Sequence, residues 1–154
     1  MPQSHGFQEY YRYDAEELRR LCPHPVYVVE TDVDLYYRIA LDLYDFALQC
    51  REEGRPAAVI LPVGPVFQYR RFRDLLDRRP LDLSHLTCFF MDEYLDADMR
   101  LIAAGHPLSF RGFIEREFAG PLKKAGLLRD EQVRFPDPAE LDRLAEEIAG
   151  LGGA

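Results

Sequence analysis

Two runs without a charged residue, Ala57-Ala58-Val59-Ile60-Leu61 and Leu86-Thr87-Cys88-Phe89-Phe90-Met91, constrain the fold of this chain more than any other feature. Each is short, and neither alternates apolar with polar residues. That is the pattern of a strand covered on both faces, as in a parallel sheet. Parallel neighbours need a crossover, and the intervening stretch supplies one, with Tyr69, Phe72, Leu75 and Leu76 at helical spacing. The strongest helix signal begins at Thr31 or Asp32. There Leu35, Ile39, Leu43, Phe46 and Cys50 recur every three or four residues, widened by Tyr36, Ala40 and Ala47, until Gly54 provides a stop. Another helix is expected from about Ser109 to Ala125, with Phe110, Phe113, Ile114, Phe118 and Leu122 on one face. The chain therefore reads as α/β: a Rossmann-like three-layer open sandwich with a mainly parallel sheet. Right-handed crossovers would leave helices on both of its faces.

The remaining segments are weaker. Residues 1–13 read as an arm or loop, and Asp14 with Glu17 has the spacing of a capping box before a short helix carrying Leu18 and Leu21. Pro23 and Pro25 end that helix, and Val26 to Glu30 is a β-rich candidate strand. Residues 95–106 form a long loop, with one helical turn expected around Met99 to Ala103. Val133 to Phe135 would add an edge strand. Asp137-Pro138-Ala139-Glu140 then reads as a helix start, with Leu141, Leu144, Ala145 and Ile148 as the buried stripe. No repeat or linker divides the chain, so residues 1–154 are expected to be one unit. With two central strands, and Gly152-Gly153-Ala154 where another strand would normally follow, the sheet is expected to be incomplete at its C-terminal side.

A formal net charge of -8 disfavours nucleic acid and anionic membranes as partners. No run approaches the roughly 18 apolar residues needed to cross a bilayer, and no signal peptide is visible. Cys22, Cys50 and Cys88 are an odd number at wide spacing, matching neither a disulfide framework nor a zinc pattern. A reducing, cytoplasmic setting follows. The four histidines have no metal-ligand spacing, so neither a metal nor another cofactor is expected.

In open α/β sheets ligands collect beyond the carboxyl ends of the strands. Pro62-Val63-Gly64-Pro65 and Asp92-Glu93-Tyr94 occupy such positions. Gly64 allows close backbone approach, and the next helix start offers amides to an anion. Pro65 has no amide hydrogen, however, and Val63 and Val66 have no hydroxyl, so a plain structural turn is the competing reading. Asp92 and Glu93 are adjacent acids at a strand end, where partial burial can fit a carboxylate for proton transfer. A loop acid that caps a helix or faces water is the alternative. Ser109 is placed to cap the following helix, His106 to face a ligand or anchor the loop, and Arg111 to pair with an acid or contact a sugar phosphate, with plain solvent exposure as the default for Arg111.

Phe89-Phe90-Met91-Asp92-Glu93-Tyr94, followed by His106-Pro107-Leu108-Ser109-Phe110-Arg111-Gly112-Phe113, resembles the paired signature of glucosamine-6-phosphate deaminases. There an apolar strand ends in Met-Asp-Glu-Tyr and a His-Pro-x-Ser-Tyr/Phe segment opens the next helix. Leu61-Pro62-Val63-Gly64 is similar to that family's Leu-Pro-Thr-Gly phosphate-loop element, in the same order, and the likeness runs from about Tyr27 onward. The resemblance implies isomerisation of an amino-sugar 6-phosphate with release of ammonia. Asp92 would be the proton-transfer residue at C1 and C2, and Glu93 and Tyr94 would support its loop. Gly64, with Val63 and Pro65, would lie at the phosphate, and His106, Ser109 and Arg111 beside the substrate. It implies a small-molecule sugar phosphate or amino sugar as ligand and leaves room for a homo-oligomer.

Three departures accompany the likeness. The phosphate loop has lost its hydroxyls, and the stretch from Leu95 to Gly105 is longer than the family's. The family's Gly-His-x-Ala-Phe-Asn-Glu-Pro segment does not follow Gly153. This chain is therefore expected to be inactive alone and its intact parent to be the enzyme. The related 6-phosphogluconolactonases, which hydrolyse an ester, and a non-catalytic sugar-binding or regulatory protein are the alternative readings.

Overall fold

The computed structural model describes residues 12–151, which leaves the expected arm largely outside the described residues. The chain divides into two compact units, Met1–Leu35 and Tyr36–Ala154.

In the first unit, α1 (Ala15–Leu21) starts as its sequence dictates. The Asp14 carboxylate accepts from the amides of Glu16 and Glu17, and the Glu17 carboxylate accepts from the Asp14 amide at 2.9 Å. None of its side chains is buried. The strand expected at Val26 to Glu30 does not form; the segment has no ladder partner among the described residues, and Tyr27 and Val28 are exposed. β-branched residues favour a strand only where a neighbouring strand completes the ladder. α2 (Asp32–Glu52) begins at Thr31, whose hydroxyl accepts from the Asp34 amide at 3.1 Å.

The second unit holds the core. The remainder of α2 buries Ala40, Leu43, Tyr44, Ala47 and Cys50, and ends at Gly54 with φ of 65°. β1 (Ala57–Leu61), α3 (Phe67–Arg78) and β2 (Leu86–Phe90) follow. After a long loop, α4 (Phe110–Ile114), a π turn (Glu115–Ala119) and α5 (Gly120–Lys124) run on as one helix. β3 (Val133–Arg134) and α6 (Leu141–Gly150) complete the described elements. The strands lie in the order β1-β2-β3, all parallel, with Ala57 opposite Leu86, Leu61 opposite Phe90 and Cys88 opposite Val133. The protein is thus a mixed α/β fold with a small parallel sheet flanked by helices.

One face of that sheet, with Ala57, Leu86, Cys88 and Phe90, meets Tyr69, Phe72 and Leu76 of α3 and Ile114, Phe118 and Leu122 of the long helix. Phe118 is the hub, its ring 4.9 Å from Tyr69, 6.0 Å from Phe72 and 6.4 Å from Phe90. Burial pushes the Cys88 thiol up to about 12, so it is a packing group here.

Three local expectations are corrected. β2 is covered on both faces, but Ile60 of β1, an edge strand of the described sheet, is 55% exposed. The turn expected as helical around Met99 is instead pinned by Asp96, whose carboxylate accepts from the amides of Asp98 and Arg100, inside a Leu95–Leu101 bridge. α6 starts at Leu141 rather than at Pro138, since the Asp137 carboxylate bonds the Ala139 amide and closes a separate turn first.

Candidate functional site

Three parallel strands send their carboxyl ends to one edge of the sheet. The Met91 amide donates to the Leu61 carbonyl at 3.0 Å, so the hydrogen bonding continues from the last residue of β1 to the first residue after β2. Pro62 and Asp92 consequently leave the sheet side by side, which brings the two predicted loops together.

After β1, Val63 is buried, Gly64 and Pro65 are exposed, and the peptide between the last two is cis. The loop is held from below by Tyr69, fully buried, whose hydroxyl donates to the Pro62 carbonyl. Burial pushes the phenol pKa up, and the neighbouring Cys88 and Asp92 add to that. Val66 precedes α3 with no side-chain cap, so the first-turn amides of that helix face the loop without a side-chain acceptor.

After β2, the two acids part company. Asp92 is exposed and makes no hydrogen bond or ion pair among the described residues. Glu93 turns the other way, as adjacent residues in extended backbone do. One carboxylate oxygen of Glu93 accepts from the amides of Tyr94 at 2.8 Å and Phe110 at 2.9 Å. The other accepts from the Arg111 amide at 2.7 Å and the Ser109 hydroxyl at 2.9 Å. Partial burial alone would raise the Glu93 pKa. The hydrogen bonds from Arg111, Tyr94, Phe110 and Ser109 outweigh it and hold the carboxyl below the usual range. The carboxylate also sits at the positive end of the long helix, the favourable place for an anion.

The other predicted residues gather around that anchor. Ser109 is buried and caps α4, its oxygen accepting from the Gly112 amide at 3.0 Å. The Tyr94 ring lies 4.8 Å from Phe110. The Arg111 guanidinium donates to the Ile102 carbonyl at 3.2 Å, while its Nε is buried without a partner among the described residues. His106 is exposed, and its Nδ1 accepts from the Leu108 amide at 3.2 Å, a contact confined to its own turn. Glu93, Tyr94, Ser109 and Arg111 thus form one cluster that closes the loop. Asp92 and residues 63–65 form a second group on the sheet edge.

Three residues of this region carry no functional signal in the sequence. Gly112 lets the long loop cross the helix, since a Cβ there would overlap the Ala104 carbonyl oxygen. Tyr69 reads only as part of an apolar stripe. Gln68 reads as a surface residue, yet it is buried.

No protein-family model matches the chain, and no curated protein matches its sequence. Among the described residues, no group of three His, Cys, Asp or Glu is arranged to hold a metal ion. No described helix is long and apolar enough to cross a membrane.

Proposed function

We propose that the sheet edge is a sugar site of the glucosamine-6-phosphate deaminase type, within a Rossmann-like three-layer domain. The supporting observation is the division of labour between two adjacent acids. Glu93 has both oxygens committed to the loop and helix, whereas Asp92 stands uncommitted at the end of the central described strand. In this reading Asp92 takes the proton from C2 of the open-chain amino sugar and returns it to C1. The C–H electron pair moves through an enol-type intermediate and leaves a carbonyl-equivalent imine at C2. Water then adds to that imine and ammonia leaves, so atoms balance without an external oxidant. Glu93, Ser109 and Tyr94 position Asp92; Val63, Gly64, Pro65, His106 and Arg111 border the substrate.

The activity belongs to the intact parent in this reading, and ammonia release from glucosamine 6-phosphate by that parent and by its Asp92→Asn variant tests it directly. The variant is expected to be slower by ~100-fold or more, the usual scale for losing a positioned base. Equal rates would remove Asp92 from the chemistry. A second reading, sugar binding without turnover, is favoured by the absence of hydroxyls in Val63-Gly64-Pro65-Val66. Binding of the sugar without ammonia release would select it.

A further inference from the structure

Between the first turn of α3 and the long helix lies an open cleft of about 280 Å³, walled by Val66, Phe67, Arg70, Phe113 and Glu117. Val66 directly follows Pro65, so the cleft adjoins the loop after β1. Its size is at the small end of ligand clefts, with room for one ring rather than a chain. Phe67 is 53% exposed, and its ring is held by Tyr36, outside the cleft, at 5.3 Å. Phe113 is half-buried and packs on the core. Two aromatic rings with little freedom to move therefore line one small space.

The polar part of the cleft is one loose ion pair. Arg70 and Glu117 stand 4.0 Å apart, close enough to attract and too far to share a hydrogen bond. Neither side chain hydrogen-bonds another described residue, so guanidinium donors and carboxylate lone pairs are both available. Glu117 belongs to the π turn, whose widened geometry recurs at functional sites in helices, and Arg73 already satisfies its carbonyl. Opposite charges side by side make the cleft neutral. An anion is repelled by Glu117 and a cation by Arg70, while a wholly apolar guest would take water from both charges and return nothing. A hydroxyl donates to the carboxylate and accepts from the guanidinium. A neutral pyranose meets every demand at once, since its C–H face is apolar and its hydroxyls lie on the rim.

We infer that this cleft is a subsite for one neutral pyranose, with Phe67 and Phe113 against its C–H face and its hydroxyls on Arg70 and Glu117. It does not depend on the chemistry assigned to Asp92. The test is titration of the full chain, with its phenylalanines isotope-labelled for NMR, against methyl β-glucoside, glucose 6-phosphate and cyclohexylmethanol. The glucoside is expected to shift the Phe67 and Phe113 signals saturably and to bind more tightly than the other two. Arg70→Met and Glu117→Met each remove one polar partner at a partly exposed position. Each should weaken the glucoside about ten-fold, the scale of one hydrogen bond to a charged group, and leave cyclohexylmethanol bound as before. Their unfolding midpoints should stay level. Equal or tighter binding of cyclohexylmethanol by native protein makes the cleft merely apolar and overturns the inference. Tighter binding of glucose 6-phosphate makes it an anion site and overturns it too. Undiminished glucoside affinity in both variants removes the polar recognition on which the subsite rests. No saturable shift at Phe67 and Phe113 overturns it outright, and leaves the role of Asp92 to its own test.

Discussion

Glu93 shows how one side chain can tie a sheet to a helix. Its oxygens collect three amides and a hydroxyl, so neutralising it removes charge-assisted bonds from the start of α4 and from its own loop together. Glu93→Gln is expected to cost about 1–3 kcal/mol, measured by chemical denaturation at neutral pH. The acid limb gives a sharper check. The native carboxyl sits below its ordinary value, so the unfolded chain takes up the proton first as pH falls. The contribution is complete above about pH 4.3, the unfolded glutamate value, and is lost as pH drops through the lower native value. Native protein and variant should therefore converge in stability toward low pH. A gap that persists unchanged there would mean that packing, not charge, carries the effect.

Among the elements, the helix from Phe110 to Lys124 is the least regular, and two residues explain why. The Gly120 amide bonds the Glu115 carbonyl, five residues back, and a Cβ at 120 would overlap that oxygen. Pro121 follows and has no amide to give to Glu117, four residues before it. Arg73 of α3 makes up the loss, its Nη1 donating to the Glu117 carbonyl at 3.0 Å. Gly120→Ala should lower the unfolding midpoint through a loss of about 1–3 kcal/mol, as overpacking does. A glycine-to-alanine gain in helix stability, the ordinary result, would contradict the π turn. The sequence shows the existence and span of this helix, because its apolar face repeats over four turns. It does not show the widened turn, which depends on a carbonyl that another helix satisfies. The same limit applies at the site. The strand ends, the capping Ser109 and the paired acids are legible from local pattern, whereas Tyr69 and Gly112 acquire meaning only from groups brought against them by the fold. Val26 to Glu30 fails for the complementary reason: a strand is a relation between segments, and its partner is not encoded within it.

For the whole molecule, the exposed side of β1 is the notable surface. Five consecutive apolar residues lie on a sheet edge with no partner strand beyond them among the described residues, and Ile60 is 55% exposed. Such edges invite pairing, and charge is the usual protection. Ile60→Lys is expected to leave monomer stability within about 0.5 kcal/mol, as exposed positions do. The same variant should reduce concentration-dependent self-association in sedimentation. A stability loss well beyond that would show that Ile60 is covered in solution. The loop from Leu95 to Leu108 has a different significance. Its start is fastened to the helix through Glu93, its far end closes at Ser109, and Gly112 seats its crossing point against Ala104. An excursion closed at its neck in this way can change length without moving the residues on either side of the neck. Lineages can therefore lengthen or shorten it without shifting Asp92, and an epitope tag placed beside Asp98 would report on the protein without disturbing the sheet edge.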